Sequence, residues 1–110
     1  MKTLTITDAG ICGFQTRIHA ESADQQNVTF RIASSCEKVQ KFADALIAKG
    51  LVDGYVEIGA GNDGIILSTG REYLKGMCGA CVVPCAVFKA MQIAAGLALP
   101  MDIAIRIAKE

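Results

Sequence analysis

Five cysteines in a chain of 110 residues set the chemical question for this protein. Three of them fall in the run Cys78-Gly79-Ala80-Cys81-Val82-Val83-Pro84-Cys85, while Cys12 and Cys36 stand apart upstream. Cys78 and Cys81 have the C-x2-C spacing common to chelating and redox sites. Cys81 and Cys85 are four apart, across a junction that reads as loop to helix. Gly76 and Gly79 would let the backbone wrap closely round a bound ion or cluster. A shell of four thiolates suits zinc or an iron–sulfur cluster. Free cysteine also behaves as a small core hydrophobe. That reading suits Cys36 or Cys85 singly, but not three cysteines in eight residues. An odd count and the lack of a signal-peptide pattern favour metal or thiol chemistry in a reducing, cytoplasmic setting over a disulfide framework.

The elements that must position these thiols can be read from the pattern of apolar residues. Lys2–Thr7 alternates as a half-buried strand, with Leu4 and Ile6 on one face. Strands over about Gly13–Ala20 and Val28–Ile32 form an antiparallel hairpin. Ser34 and Glu37 match a capping box at the start of a helix whose stripe is Val39, Phe42, Ala43, Leu46 and Ile47, with Gly50 as its stop. The glycine-rich stretch 51–64 reads as turns round a short strand at Tyr55–Ile58. A short helix capped by Asp63 would run to about Lys75. Pro84 suits the first turn of a long helix, which Pro100 ends. Asp102–Ile107 reads as a last strand, with Ile103, Ile105 and Ile107 on one face. The expected architecture is a single α+β domain over residues 1–110. It has a mainly antiparallel sheet with two long helices, and a short third, packed on one face.

This order makes a geometric prediction. A hairpin loop centred near Asp24 pairs residues whose numbers sum to about 48, which puts Cys12 opposite Cys36. Cys36 and Cys85 each fall at the first turn of a helix, where free N–H groups and the positive dipole end favour thiolate. Packed side by side in the same direction, the two helices would bring Cys12, Cys36, Cys81 and Cys85 to one edge.

At these residues the chain resembles a known family. Asp8-Ala9-Gly10-Ile11-Cys12-Gly13-Phe14, Ser35-Cys36-Glu37, Cys81–Cys85 and Ala94-Ala95-Gly96-Leu97-Ala98-Leu99-Pro100 are similar to a family of small uncharacterised cysteine-containing proteins from anaerobic microbes. The resemblance covers most of the chain outside the middle loop. It implies a shared fold and a shared cysteine site at Cys12, Cys36, Cys81 and Cys85, with Cys78 as an alternate, but no reaction. Members tend to read Cys-Pro-Val-Pro-Cys, and Val82 stands where their first proline would be. A weaker resemblance is to sulfur-carrier proteins, whose Cys-Pro-x-Pro motif carries a persulfide. Cys81-Val82-Val83-Pro84 keeps only the cysteine and the second proline.

Two functions follow as expectations. The first is a protein that holds zinc or an iron–sulfur cluster through those four cysteines, with an accessory role toward a protein partner. The second is a thiol redox or sulfur-transfer protein using Cys81 or Cys85 as nucleophile, with a neighbouring cysteine to resolve the intermediate. Other classes are disfavoured. Eleven basic residues balance eleven acidic ones, and the chain lacks tryptophan, so nothing marks a nucleic-acid surface. No stretch reads as apolar enough to span a membrane. His19, the only histidine, reads as a solvated strand residue. Gly59–Gly64 lacks the lysine and context of a phosphate loop. No Ser/His/Asp set or paired carboxylates stand out.

Overall fold

The computed structural model describes all 110 residues. Strands β1 (Lys2–Asp8), β2 (Gln15–Glu21), β3 (Asn27–Ser34) and the two-residue β4 (Val52–Asp53) form one antiparallel sheet in the order β1-β2-β3-β4. Four α-helices accompany it: α1 (Glu37–Ala48), α2 (Gly54–Ala60), α3 (Ile65–Tyr73) and α4 (Val83–Ala94). The α+β class is as the sequence implies. Helix α1 packs on β3, and α4 packs on β1 and β2. Helix α3 lies against both α1 and α4.

The core forms where these layers meet. Ile18, Val28 and Ile32 from the sheet meet Phe42 and Leu46 of α1, Ile66 of α3, and Val87 and Met91 of α4. Each buried aliphatic or aromatic side chain of this size contributes about 1.5–3 kcal/mol over the exposed state. Val39, Phe42, Ala43 and Leu46 realise the stripe expected for α1, although Ile47 at its margin is exposed. Pro84 sits in the first turn of α4, where its missing N–H has no helical partner to lose.

Several expectations are corrected. The faces of β1 are reversed: Leu4 and Ile6 are exposed, at 50% and 47%, and Thr7 is buried. Residues of β1 and β2 pair with numbers that sum to 23, as in Thr5↔Ile18 and Thr7↔Thr16. An odd sum puts the odd residues of β1 on the same face as the inward even residues of β2. Ladder parity, not hydrophobicity, decides the matter on an edge strand. The capping box is absent. Cys36 is the N-cap residue of α1, Glu37 pairs instead with Lys41, and the Ser34 hydroxyl accepts from the Cys36 N–H. Tyr55–Ile58 belongs to helix α2, because Asp53 caps it by accepting from the N–H groups of Tyr55 and Val56. Gly64, not Asp63, precedes α3, which ends at Tyr73. Residues 102–107 form no strand, and they lie exposed with no sheet partner.

The stretch Gly76–Ala94 also departs from expectation: its 19 residues have a mean hydropathy of 1.6 and pass for a membrane span by length and composition alone. It comprises a 3-10 turn (Gly76–Ala80) followed by α4. The twelve residues of α4 rise only ~18 Å, against the ~30 Å of a bilayer core. Val83, Val87, Ala90, Met91 and Ala94 are buried in the protein's own interior.

Candidate functional site: the thiol end of the sheet

An antiparallel meander returns alternate strand ends to the same side. The C-terminus of β1, the N-terminus of β2 and the C-terminus of β3 therefore lie together, as the pairs Asp8↔Gln15 and Thr16↔Ser34 show. Cys12 ends the 3-10 turn Gly10–Cys12 that joins β1 to β2. Gly13 closes that turn at φ +73°, a conformation that favours glycine. The Cys12 thiol is exposed and donates to the Ala9 carbonyl at 3.4 Å. Cys36 follows β3 at the start of α1. Ser35 ties this junction to β2: its N–H donates to the Gln15 carbonyl at 3.2 Å, and its hydroxyl accepts from the Gln15 N–H at 3.1 Å.

The third segment arrives from the helical layer. Lys38, in the first turn of α1, has its ammonium 3.8 Å from the Cys78 sulfur. Cys81 caps the end of the 3-10 turn and is separated from α4 by Val82 alone, its N–H donating to the Cys78 carbonyl at 3.1 Å. Cys36, Cys78 and Cys81 are half-buried and pack against the core.

The electrostatics of Cys81 report its surroundings. Burial pushes its thiol above the ordinary cysteine value, and a hydrogen bond from the Val83 N–H opposes this. The neighbouring thiols of Cys12, Cys36 and Cys78 push it up further, because thiolates of like charge repel. Cys85 lies in the first turn of α4 and is exposed, and it is not among the thiols that act on Cys81. All five cysteines are free, and no three His, Cys, Asp or Glu side chains stand close enough to share an ion.

The hairpin register differs from the expected one. Residues of β2 and β3 pair with a sum of 50, as in Ile18↔Ile32, and the ladder ends at Thr16↔Ser34. The shift arises in the loop, where Asp24 accepts hydrogen bonds from the N–H groups of Gln26 and Asn27 and from the Ser22 hydroxyl, and Gln25 takes φ +59°. Cys12 therefore lies in the turn beyond the ladder instead of facing Cys36 across it. His19 is half-buried on the sheet's outer face, opposite Leu4 and Arg31.

Two residues that hold the helical layer in place carried little signal in the sequence. Lys38 is an unremarkable helix lysine until α1 is set against Gly76–Ala80. Glu57 is a carboxylate only 2% exposed, and its Oε1 accepts from the Ile66 N–H at 2.6 Å. It serves as the cap that Gly64 cannot provide. The hint was an acid inside the apolar run Tyr55-Val56-Glu57-Ile58. A surface depression of about 350 Å³ lies at the opposite end of the sheet, beside Asp24 and Asn27.

A small α+β fold with free cysteines gathered at one end defines the class of protein. Residues 3–107 match the model of DUF6951, a family of unknown function, and the chain belongs to that family. No curated protein and no solved structure matches it.

Proposed function

We propose that the thiol end binds a soft metal centre, zinc or an iron–sulfur cluster, through Cys12, Cys36 and Cys81, with Cys78 or Cys85 as the fourth ligand. The observation that carries this reading is topological. Three segments distant in sequence, each bearing cysteine, end at the same place: the β1–β2 turn, the N-cap of α1 and the turn before α4. The raised Cys81 thiol supports it, because a cluster of mutually repelling thiols needs a positive centre to ionise together. The thiols would have to close in to ligate. Gly76 and Gly79 have no neighbour within 4 Å of where a Cβ would stand, so their turn has room to do so.

Anaerobic purification with metal and acid-labile sulfide analysis tests the proposal, followed by cobalt titration of the metal-free chain. The expected result is one metal or cluster per binding unit, with thiolate-to-cobalt charge-transfer bands that Cys12→Ser, Cys36→Ser or Cys81→Ser abolishes. Cys78→Ser and Cys85→Ser decide the fourth ligand. Neither metal nor sulfide on the purified chain, together with a cobalt spectrum lacking thiolate bands, refutes it.

One observation favours a second reading. Cys85 is exposed in the first turn of α4, open to attack on a partner. In that reading its sulfur attacks a disulfide supplied by a partner, so that the partner's S–S bond breaks, a mixed disulfide forms and the partner's other sulfur leaves as a thiol. Alkylation of Cys85 at neutral pH no faster than that of a free thiol counts against this.

A further inference from the structure

The sheet has a long free edge at β1, whereas the outer side of β3 is met by β4 at Asn27 and Val28 and by the Gln40 side chain, which accepts from the Ser34 N–H and donates to the Ile32 carbonyl. We propose that β1 is the seam of a twofold dimer, in which β1 strands from two copies of this chain pair antiparallel about Thr5.

The backbone groups are available. The Met1 ammonium donates to the Ser22 carbonyl at 2.6 Å, the Ser22 N–H donates back to Met1 at 3.1 Å, and the Ala9 N–H donates to Phe14 at 3.0 Å. Odd positions of β1 therefore bond to β2. In an antiparallel ladder the alternate residues turn their N–H and C=O the other way. Lys2, Leu4, Ile6 and Asp8 thus present theirs to the open edge. Natural proteins blunt such edges with proline, bulges or inward charges. Here the ladder with β2 runs unbroken from Lys2↔Glu21 to Asp8↔Gln15, without proline.

The side chains specify the partner. Lys-Thr-Leu-Thr-Ile-Thr-Asp reads nearly the same in type from either end, with opposite charges at its termini. Pairing about Thr5 sets Lys2 of one copy opposite Asp8 of the other, and Leu4 opposite Ile6. Twofold symmetry repeats both pairs. In each pair both residues are even, so the pairs that need to exchange hydrogen bonds are those with outward-facing groups. Centring the axis on Leu4 or Ile6 instead would set a charged residue against an aliphatic one. Leu4 and Ile6, half-exposed on a face where β2 offers Arg17, His19 and Glu21, would gain aliphatic neighbours.

The other available occupant is the chain's own segment Asp102–Ile107. Gly96 lies beside Gln25, at the end of the sheet where β1 begins. From there the segment would run parallel to β1. Matching Ile103 and Ile105 to Leu4 and Ile6 would leave Lys2 and Asp8 facing Met101 and Ile107, and matching Ile105 and Ile107 would bring Lys109 to Asp8 but still leave Lys2 facing Ile103. Charge complementarity favours the second copy.

Sedimentation or light scattering of the full chain, in reducing buffer so that thiols cannot cross-link it, tests the seam. The expected wild-type species is a dimer. Leu4→Lys should yield a monomer with an unchanged circular dichroism spectrum. Asp8→Lys should weaken association about tenfold, by turning two attractive pairs repulsive, and Lys2→Asp with Asp8→Lys should restore it. A wild-type monomer overturns the proposal, as does a dimer indifferent to Leu4→Lys and Asp8→Lys, or one that the double exchange fails to restore. A monomer that dimerises only on Ile105→Lys identifies the C-terminal segment as the occupant and overturns it equally.

Discussion

Glu57 offers the sharpest test of how this fold holds its site. Its carboxylate is buried, lies against Gly64 so closely that a Cβ there would stand 2.7 Å from Oε1, and accepts from the Ile66 N–H. Gly64 has no side chain with which to cap α3, so Glu57 performs that task from another helix. Glu57→Ala would remove the cap, a loss of about 1 kcal/mol. It would also leave a buried N–H without an acceptor, at about 1–3 kcal/mol. The two terms overlap, and a net cost of about 2–3 kcal/mol is expected. For a chain of this size that lowers Tm by roughly 10 °C. Glu57→Gln keeps an acceptor oxygen in the same place and should cost about 1 kcal/mol or less, the difference between a charged and a neutral acceptor. Equilibrium urea unfolding followed by far-ultraviolet circular dichroism measures both. A cost for Glu57→Ala below about 0.5 kcal/mol, or a Glu57→Gln cost equal to it, would refute the capping role.

Other consequences are open to the same methods. The Thr7 hydroxyl is buried without a hydrogen-bond partner. Thr7→Val should therefore stabilise the chain by about 1 kcal/mol, and a loss in urea midpoint would contradict that. Cys81 binds its proton more tightly folded than unfolded. Its contribution is whole below the ordinary thiol value of about 8.5 and is lost as pH rises through the folded value. The metal-free chain should thus weaken above that pH, and Cys81→Ser should flatten the decline. Asp24 shows the opposite sign. Hydrogen bonds from Asn27, side chain first, hold its carboxyl well below the usual range. Its contribution is present above about pH 3.9 and fades as pH falls toward the folded value, so Asp24→Ala should blunt acid sensitivity in a pH series of unfolding curves. If the thiol end holds zinc, adding zinc should raise the unfolding midpoint in proportion to the logarithm of its free concentration. Cys36→Ser should erase that dependence.

What could be read in the sequence was whatever depends on local pattern. The α1 stripe, the Pro84 helix start and the hairpin of β2 and β3 follow from local side-chain pattern, which burial in a sheet centre or against a layer enforces. At the edge that logic fails. Leu4 and Ile6 alternate as a buried strand would, yet the odd-sum pairing with β2 turns them outward. Tyr55–Ile58 reads as a strand because its helix depends on the Asp53 cap, and the α3 cap comes from Glu57, nine residues before the Ile66 N–H that donates to it. The thiol end was half legible. The cysteines themselves were plain, and their junction positions at Cys36 and Cys81 followed from the helix starts. Their mutual placement was not, because the hairpin register turns on how Asp24 organises one loop.

Gly70 connects the helical layer to the thiols in a way that stability alone would not suggest. A methyl group at this position would come within 2.8 Å of Pro84, in the first turn of α4. Ordinary carbon contacts need ~3.5–4 Å, so even alanine would thrust that turn outward by roughly an ångström. As a helix former alanine is better than glycine by about 1 kcal/mol, so such a chain could still fold. Metal–sulfur bonds, however, tolerate errors of only ~0.2 Å. Gly70 thus acts as a gauge block: a residue with no donor atom sets the clearance at which Cys81 and Cys85 are presented. If the thiol end binds a metal as proposed, substitution of Gly70 should weaken metal binding more than it weakens the helix that carries it.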